Sequence, residues 1–233
     1  MAGDSLIHSV LLGLYVRTGV GWHWRVASAN EREKSASMSG NRKRVKHYHE
    51  PSDIHELTFS CYHRLPLLSN DTWRSYLTES IIQACRKQRF CLAAFVFMPE
   101  HVHLLVFAET NAPNVSRFLA AVKRPCSASI KRDLVTAQSP LLDTLTVQER
   151  PGKMAFRFWQ EGPGYDRNLR SEEAVISAID YFHNNPVRRG LCESAAQWFW
   201  SSARFYLTNP REQDPLLPMI TRLPSSFFTG TKG

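Results

Sequence analysis

Phe97-Met98-Pro99-Glu100-His101-Val102-His103-Leu104-Leu105-Val106 is the stretch on which the reading of this chain turns. Histidines two apart in an extended segment project from the same face of a strand. Pro99-Glu100 reads as a tight turn, and the apolar residues of 95–98 and 104–107 on either side read as buried strands. The pair therefore opens the second strand of a hairpin-like unit. Two side-by-side imidazoles there can hold a divalent ion. A pleated surface with two polar residues facing outward accounts for the same letters.

Working outward, residues 56–62 read as a first strand. Asn70-Asp71 supplies an N-cap, and Trp73, Leu77, Ile81 and Cys85 recur at four-residue spacing, an amphipathic helix ending near 87–89. Residues 90–97 and 101–108 are the paired strands. Asn111-Ala112-Pro113 starts a second helix, with Val115, Phe118, Leu119 and Val122 on its apolar face and Arg117, Lys123 and Arg124 on another. Pro125 kinks or ends that helix, which 127–134 resumes. Residues 136–154 read as a surface loop, 156–160 as a short strand and 161–164 as a turn. Ser171 then caps a helix whose Val175, Ala178, Ile179 and Phe182 face the core and which Pro186 stops. The order is α+β: a central antiparallel sheet with helices packed on one face.

Tyr181 lies on that last helix, and Asn185 stands one turn later on the same face. Preceding Pro186, Asn185 reads as a C-terminal cap with its amide free to reach outward. An ordinary amphipathic helix ending in an ordinary stop is the simpler account of these residues taken alone. His183 points elsewhere on the helix, to a structural or DNA-contacting role. Glu100, out of step with the histidines, is expected to face away from them.

The chain has 29 Lys and Arg against 21 Asp and Glu, a net charge of +8. That excess suits a polyanion, although a basic soluble protein is no rarity. The odd number of cysteines, five, with no C-x-x-C, reads as free thiols in a reducing compartment. No apolar run is long enough to span a membrane. Residues 1–37 are expected to be a non-native or disordered extension, with Met38 a natural start; 38–54 a basic arm; 55–207 the domain that carries the histidine pair and Tyr181; and 208–233 a loosely ordered tail.

Several pieces occur together in order. They are His55-Glu56-Leu57-Thr58-Phe59-Ser60-Cys61-Tyr62, Met98-Pro99-Glu100-His101-Val102-His103, Phe158-Trp159-Gln160, Tyr181-Phe182-His183-Asn184-Asn185-Pro186-Val187-Arg188-Arg189, and Trp200-Ser201-Ser202-Ala203. As a set they resemble the single-tyrosine HUH transposases, the insertion-sequence enzymes and their REP-associated relatives, over roughly 42–207. The resemblance implies a ferredoxin-like topology. It implies His101, His103 and Asn185 as ligands of Mg2+ or Mn2+, with Zn2+ an unproductive occupant. It implies Tyr181 as a nucleophile that cuts single-stranded DNA and keeps the 5′-phosphate. Arg188 and Arg189 beside the site are the first candidates for DNA contact, followed by Lys123, Arg124 and Arg117. Single-stranded or hairpin DNA is the expected partner, in the cytoplasm at the nucleoid. The family includes monomers and dimers, so a homodimer stays open. A silent hairpin-DNA-binding descendant and a metal hydrolase of another class are the competing readings; the second lacks a carboxylate-rich ligand set.

Overall fold

The computed structural model describes residues 54–110, 113–162, 164–208 and 213–223. The expectations for 1–37, and for the basic arm short of Ile54, lie outside the described residues, as does the tail beyond 223. Four strands form the central sheet: β1 (Ile54–Ser60), β2 (Phe90–Phe97), β3 (His101–Ala108) and β6 (Tyr165–Leu169). Their order is β2-β3-β1-β6, every neighbour antiparallel. Helix α1 (Asp71–Gln88) joins β1 to β2, and α2 (Val115–Thr136) follows β3 on the way to β6. Two interleaved strand-helix-strand units with the last strand beside the first make the ferredoxin-like arrangement.

β2 and β3 begin and end where the sequence placed them. Both are apolar almost without interruption, because the sheet is covered on both faces. The expectation of helices on one face only is corrected accordingly. α1 and α2 pack on the side of Leu57, Phe59, Phe95, Phe97 and Leu104. The last long helix, α4 (Glu172–Arg188), packs on the other side with Ile54, Ala94, Val96, Leu105 and Phe107.

Local chemistry sets the helix bounds. The Asn70 side chain accepts from the Trp73 N–H at α1, and Ser171 accepts from the Ala174 N–H at α4. α2 starts later than expected, with Asn114 as its cap, and runs unbroken through Pro125. Pro125 is on the exposed side, while Phe118, Val122, Cys126, Ile130 and Leu134 keep one buried stripe across it. Packing of that stripe outweighs the roughly 3 kcal/mol cost of an internal proline. α4 likewise continues past Pro186 to Arg188, so Asn185 is a helical residue and not a cap.

The stretch read as a surface loop holds a short helix α3 (Leu141–Thr144) and most of a hairpin, β4 (Thr146–Arg150) with β5 (Lys153–Phe156). Residues 156–160 are not the fourth strand of the sheet; they contribute one bridge, Trp159 to Cys61. The fourth strand is β6. Its sequence, Tyr-Asp-Arg-Asn-Leu, is too polar to announce itself, but Asp166 meets His55 and Arg167 meets Glu56 across the strand pair. After α4, residues 200–202 pair with β2 ahead of α5 (Ala203–Thr208). Thr221 donates to the Leu92 carbonyl, and Ile220 is buried.

Candidate active site

The site is built by register. In the β1–β3 ladder, Thr58 lies opposite His103 and Ser60 opposite His101. These residues project to the α4 face, away from the main core. α4 runs over them and brings Tyr181, Phe182 and Asn185 down on His103. The His103 ring stacks on Phe182 with centroids 4.9 Å apart, and Tyr181 meets its edge at 5.5 Å. Phe182 is fully buried, whereas Tyr181 is 40% exposed. One face of the helix therefore anchors it, and the next residue presents a phenol to solvent.

The two histidines turn their Nε2 atoms towards each other at 3.0 Å, and Asn185 Nδ2 lies 3.3 Å from His103 Nε2. The outer nitrogens are held. Glu100 accepts from His101 Nδ1 at 2.9 Å, and Thr58 Oγ1 bonds His103 Nδ1 at 2.7 Å. A carboxylate only accepts, so the His101 proton sits on Nδ1 and its Nε2 lone pair faces inward. Glu100 also pairs closely with Arg189. Burial alone would raise the Glu100 pKa, but Arg189 and His101 outweigh it and hold the carboxylate below its usual range. Burial lowers the His101 pKa and, reinforced by the neighbouring His101, takes His103 down to about 3. Both imidazoles are thus neutral at pH 7, the form that binds a metal.

This donor set fits a divalent ion. Two donors each about 2.1 Å from one ion and at a right angle lie about 3.0 Å apart. Both Nε2 atoms face that point, and a half-turn of the Asn185 amide exchanges Nδ2 for the oxygen Oδ1. Among the described residues no group of three or more His, Cys, Asp or Glu side chains could hold a metal. The set is two imidazoles and an amide, which leaves positions for water and phosphate.

The fold brings together His101, His103, Asn185 and Tyr181. Two expectations about orientation are corrected. Asn185 reaches inward, buried, because the helix carries on through Pro186. Glu100 does not face away: it precedes the strand, where the turn frees its side chain to fold back on His101. Arg188 lies over Tyr181, its guanidinium carbon 5.5 Å from the ring centroid, and Arg189 is engaged by Glu100. His183 is buried and bonded to Ser202 Oγ at 2.8 Å, which makes it structural and not a DNA contact. Arg117, Lys123 and Arg124 are on α2, on the opposite side of the sheet, and do not join the site. Thr58 was missed; its parity in β1 was visible, but only the register shows what it faces.

The family model "Transposase IS200 like" matches residues 53–143, a span that includes both histidines and ends before Tyr181. The chain is a transposase-like enzyme, related to the IS200-like transposases. Haemophilus influenzae has a similar protein, named "Putative REP-associated tyrosine transposase", 25% identical over 143 residues that cover 58% of this chain and 76% of the relative. A solved REP-associated tyrosine transposase bound to a REP hairpin superposes with a TM-score of 0.55 at 19% identity, covering 82% of this chain and 97% of its own. That likeness shows the fold. In this transposase-like chain, no described helix is long and apolar enough to cross a membrane.

Proposed function

We propose that this chain nicks and rejoins single-stranded DNA through a covalent bond to Tyr181, with Mg2+ or Mn2+ held by His101, His103 and Asn185. The observation that carries the reading is the convergence of two inward Nε2 atoms and the Asn185 amide beneath a solvent-facing tyrosine. A bound divalent ion would supply positive charge to the oxygens of the scissile phosphate.

The rest is work for the protein. The Tyr181 hydroxyl attacks phosphorus; an O–P bond forms to the phenol and the bond to the 3′ oxygen breaks. The phenolic proton leaves to water, which reaches this exposed ring, and the released 3′ oxygen takes up a proton. The 5′-phosphate stays on Tyr181, so a second 3′-hydroxyl reverses the step without ATP. Arg188, against the Tyr181 ring, is placed to meet the phosphate next to the cut. Glu100 and Thr58 keep the histidine rings in the orientation that points Nε2 inward. A hairpin beside the cut is the preferred substrate form, in keeping with the hairpin bound by the structural relative, and the working place is the nucleoid in the cytoplasm.

The test is incubation with labelled hairpin-bearing single strands and Mn2+. A denaturation-resistant protein–DNA adduct mapping to Tyr181, absent in Tyr181→Phe although that variant still binds DNA, is the expected result. An adduct in the phenylalanine variant removes Tyr181 as nucleophile. Tight hairpin binding with no adduct in the wild type favours the non-cutting reading.

A further inference from the structure

On the far side of the sheet from Tyr181, a groove of about 540 Å³ runs between α2 and residues 156–162. Lys123 lies within it. Its ammonium sits 4.9 Å from the Phe59 ring centroid and donates to the Gly162 carbonyl at 3.4 Å. Its pKa falls to about 8, with burial as the cause: among the described residues no carboxylate stands near enough to compensate. Arg157 in the same groove is already engaged by Glu149 at 2.6 Å and by the rim residue Glu161 at 3.2 Å. Arg124 and Lys131 line the groove, exposed and with no carboxylate partner among the described residues.

A half-buried ammonium without a counter-charge, flanked by two further unpaired cations, is a receptor for anions. Lys123 and Lys131 are eight residues apart on one helix, about 12 Å along its axis. That is longer than one phosphate and suits a chain of them. The groove also leads to the catalytic end of the sheet. Gln160, on its wall, donates its N–H to the Ser60 carbonyl at 2.8 Å, and Ser60 is the β1 partner of His101.

We propose that this groove binds the sugar–phosphate backbone of the same single strand that is cut at Tyr181, on the opposite face of the sheet, with Lys123 on one phosphate and Arg124 and Lys131 on its neighbours. The proposal rests on the single-strand reading above. The strand leaves the histidine face, rounds the sheet end over residues 160–162 and lies along α2.

Fluorescence anisotropy without metal tests it, using single strands with about 4 and about 16 nucleotides on each side of the cut position. In the wild type the longer strand binds at least about tenfold tighter and loses affinity more steeply with salt, by about 0.7 in log–log slope per added phosphate contact. Lys123→Met, which keeps the packing on Phe59, and the exposed pair Arg124→Gln with Lys131→Gln each remove most of that length-dependent gain and flatten the slope. Thermal midpoints are measured alongside; where Lys123→Met lowers the midpoint, the exposed pair decides. Retention of the wild-type gain and slope in the exposed pair overturns the proposal. Because binding is read without cleavage, a missing Tyr181 adduct would sink the nicking mechanism and leave this comparison intact.

Discussion

The Glu100 carboxylate bonds His101 Nδ1 at 2.9 Å while pairing with Arg189 on its other side. A residue at the mouth of a turn thereby selects the tautomer of a buried ring one position along the chain. Glu100→Gln keeps the shape but offers an amide whose donor and acceptor ends are interchangeable. We expect it to weaken Mn2+ binding about 10- to 100-fold, the usual effect of removing a partner behind a metal-binding histidine. Titration calorimetry measures this, and nitrogen chemical shifts of His101 in the metal-free protein report the tautomer. Unchanged affinity and an unchanged Nδ1–H signal would remove Glu100 from the design.

His101→Ala and His103→Ala should each abolish measurable Mn2+ binding, because among the described residues these two imidazoles alone converge here. His103→Ala should also lower stability by about 1 kcal/mol or more, since its ring stacks on Phe182. Calorimetry and thermal denaturation of both variants check the pair of effects. Wild-type metal affinity in both would refute the ligand assignment.

Lys123 gives a pH signature. Its folded pKa, about 8, is below the ordinary 10.5 of an unfolded lysine. Between those values the unfolded chain binds more protons, so this group makes stability rise with pH across that window. Below about pH 8 the burial penalty is fully present. Lys123→Met should therefore raise the thermal midpoint most at pH 7, and its advantage over the wild type should shrink as pH climbs from 8 towards 10.5. A constant difference across that range contradicts the placement of the ammonium.

Gly164 has φ +80, and a Cβ there would overlap the Thr58 carbonyl oxygen. Gly164→Ala should cost on the order of 3 kcal/mol, the sum of left-handed strain and a clash that backbone cannot relieve cheaply. Gly152 has φ +74 with nothing nearby, so Gly152→Ala should cost only about 1 kcal/mol. Denaturant titration of the two variants compares them; equal losses would mean that the contact with Thr58 is not tight.

The paired strands, the caps at Asn70 and Ser171 and the shared face of the two histidines were legible because each is written locally: an apolar run, a hydroxyl or amide before a periodic segment, a two-residue spacing. The meeting of that pair with Tyr181, about eighty residues on, was implied only by the family resemblance. β6 was not, since an edge strand with Asp166 and Arg167 takes its partners from β1 and carries no apolar alternation of its own. The continuation of both prolines inside helices was hidden for a similar reason. A proline states its local cost, while the packing that overrides it comes from the other elements against which the helix's own buried stripe rests. Glu100 and Thr58 needed three-dimensional register, which no one-dimensional parity supplies.

The sheet separates two packing layers of unequal size. The larger apolar cluster belongs to α1 and α2, and the helix bearing Tyr181 rests on the smaller one. Opening of α4 therefore need not dissolve the main core, and amide hydrogen exchange should be faster along α4 than along α1. Substitutions on the α4 surface have room to retune the reaction while the opposite layer carries the fold.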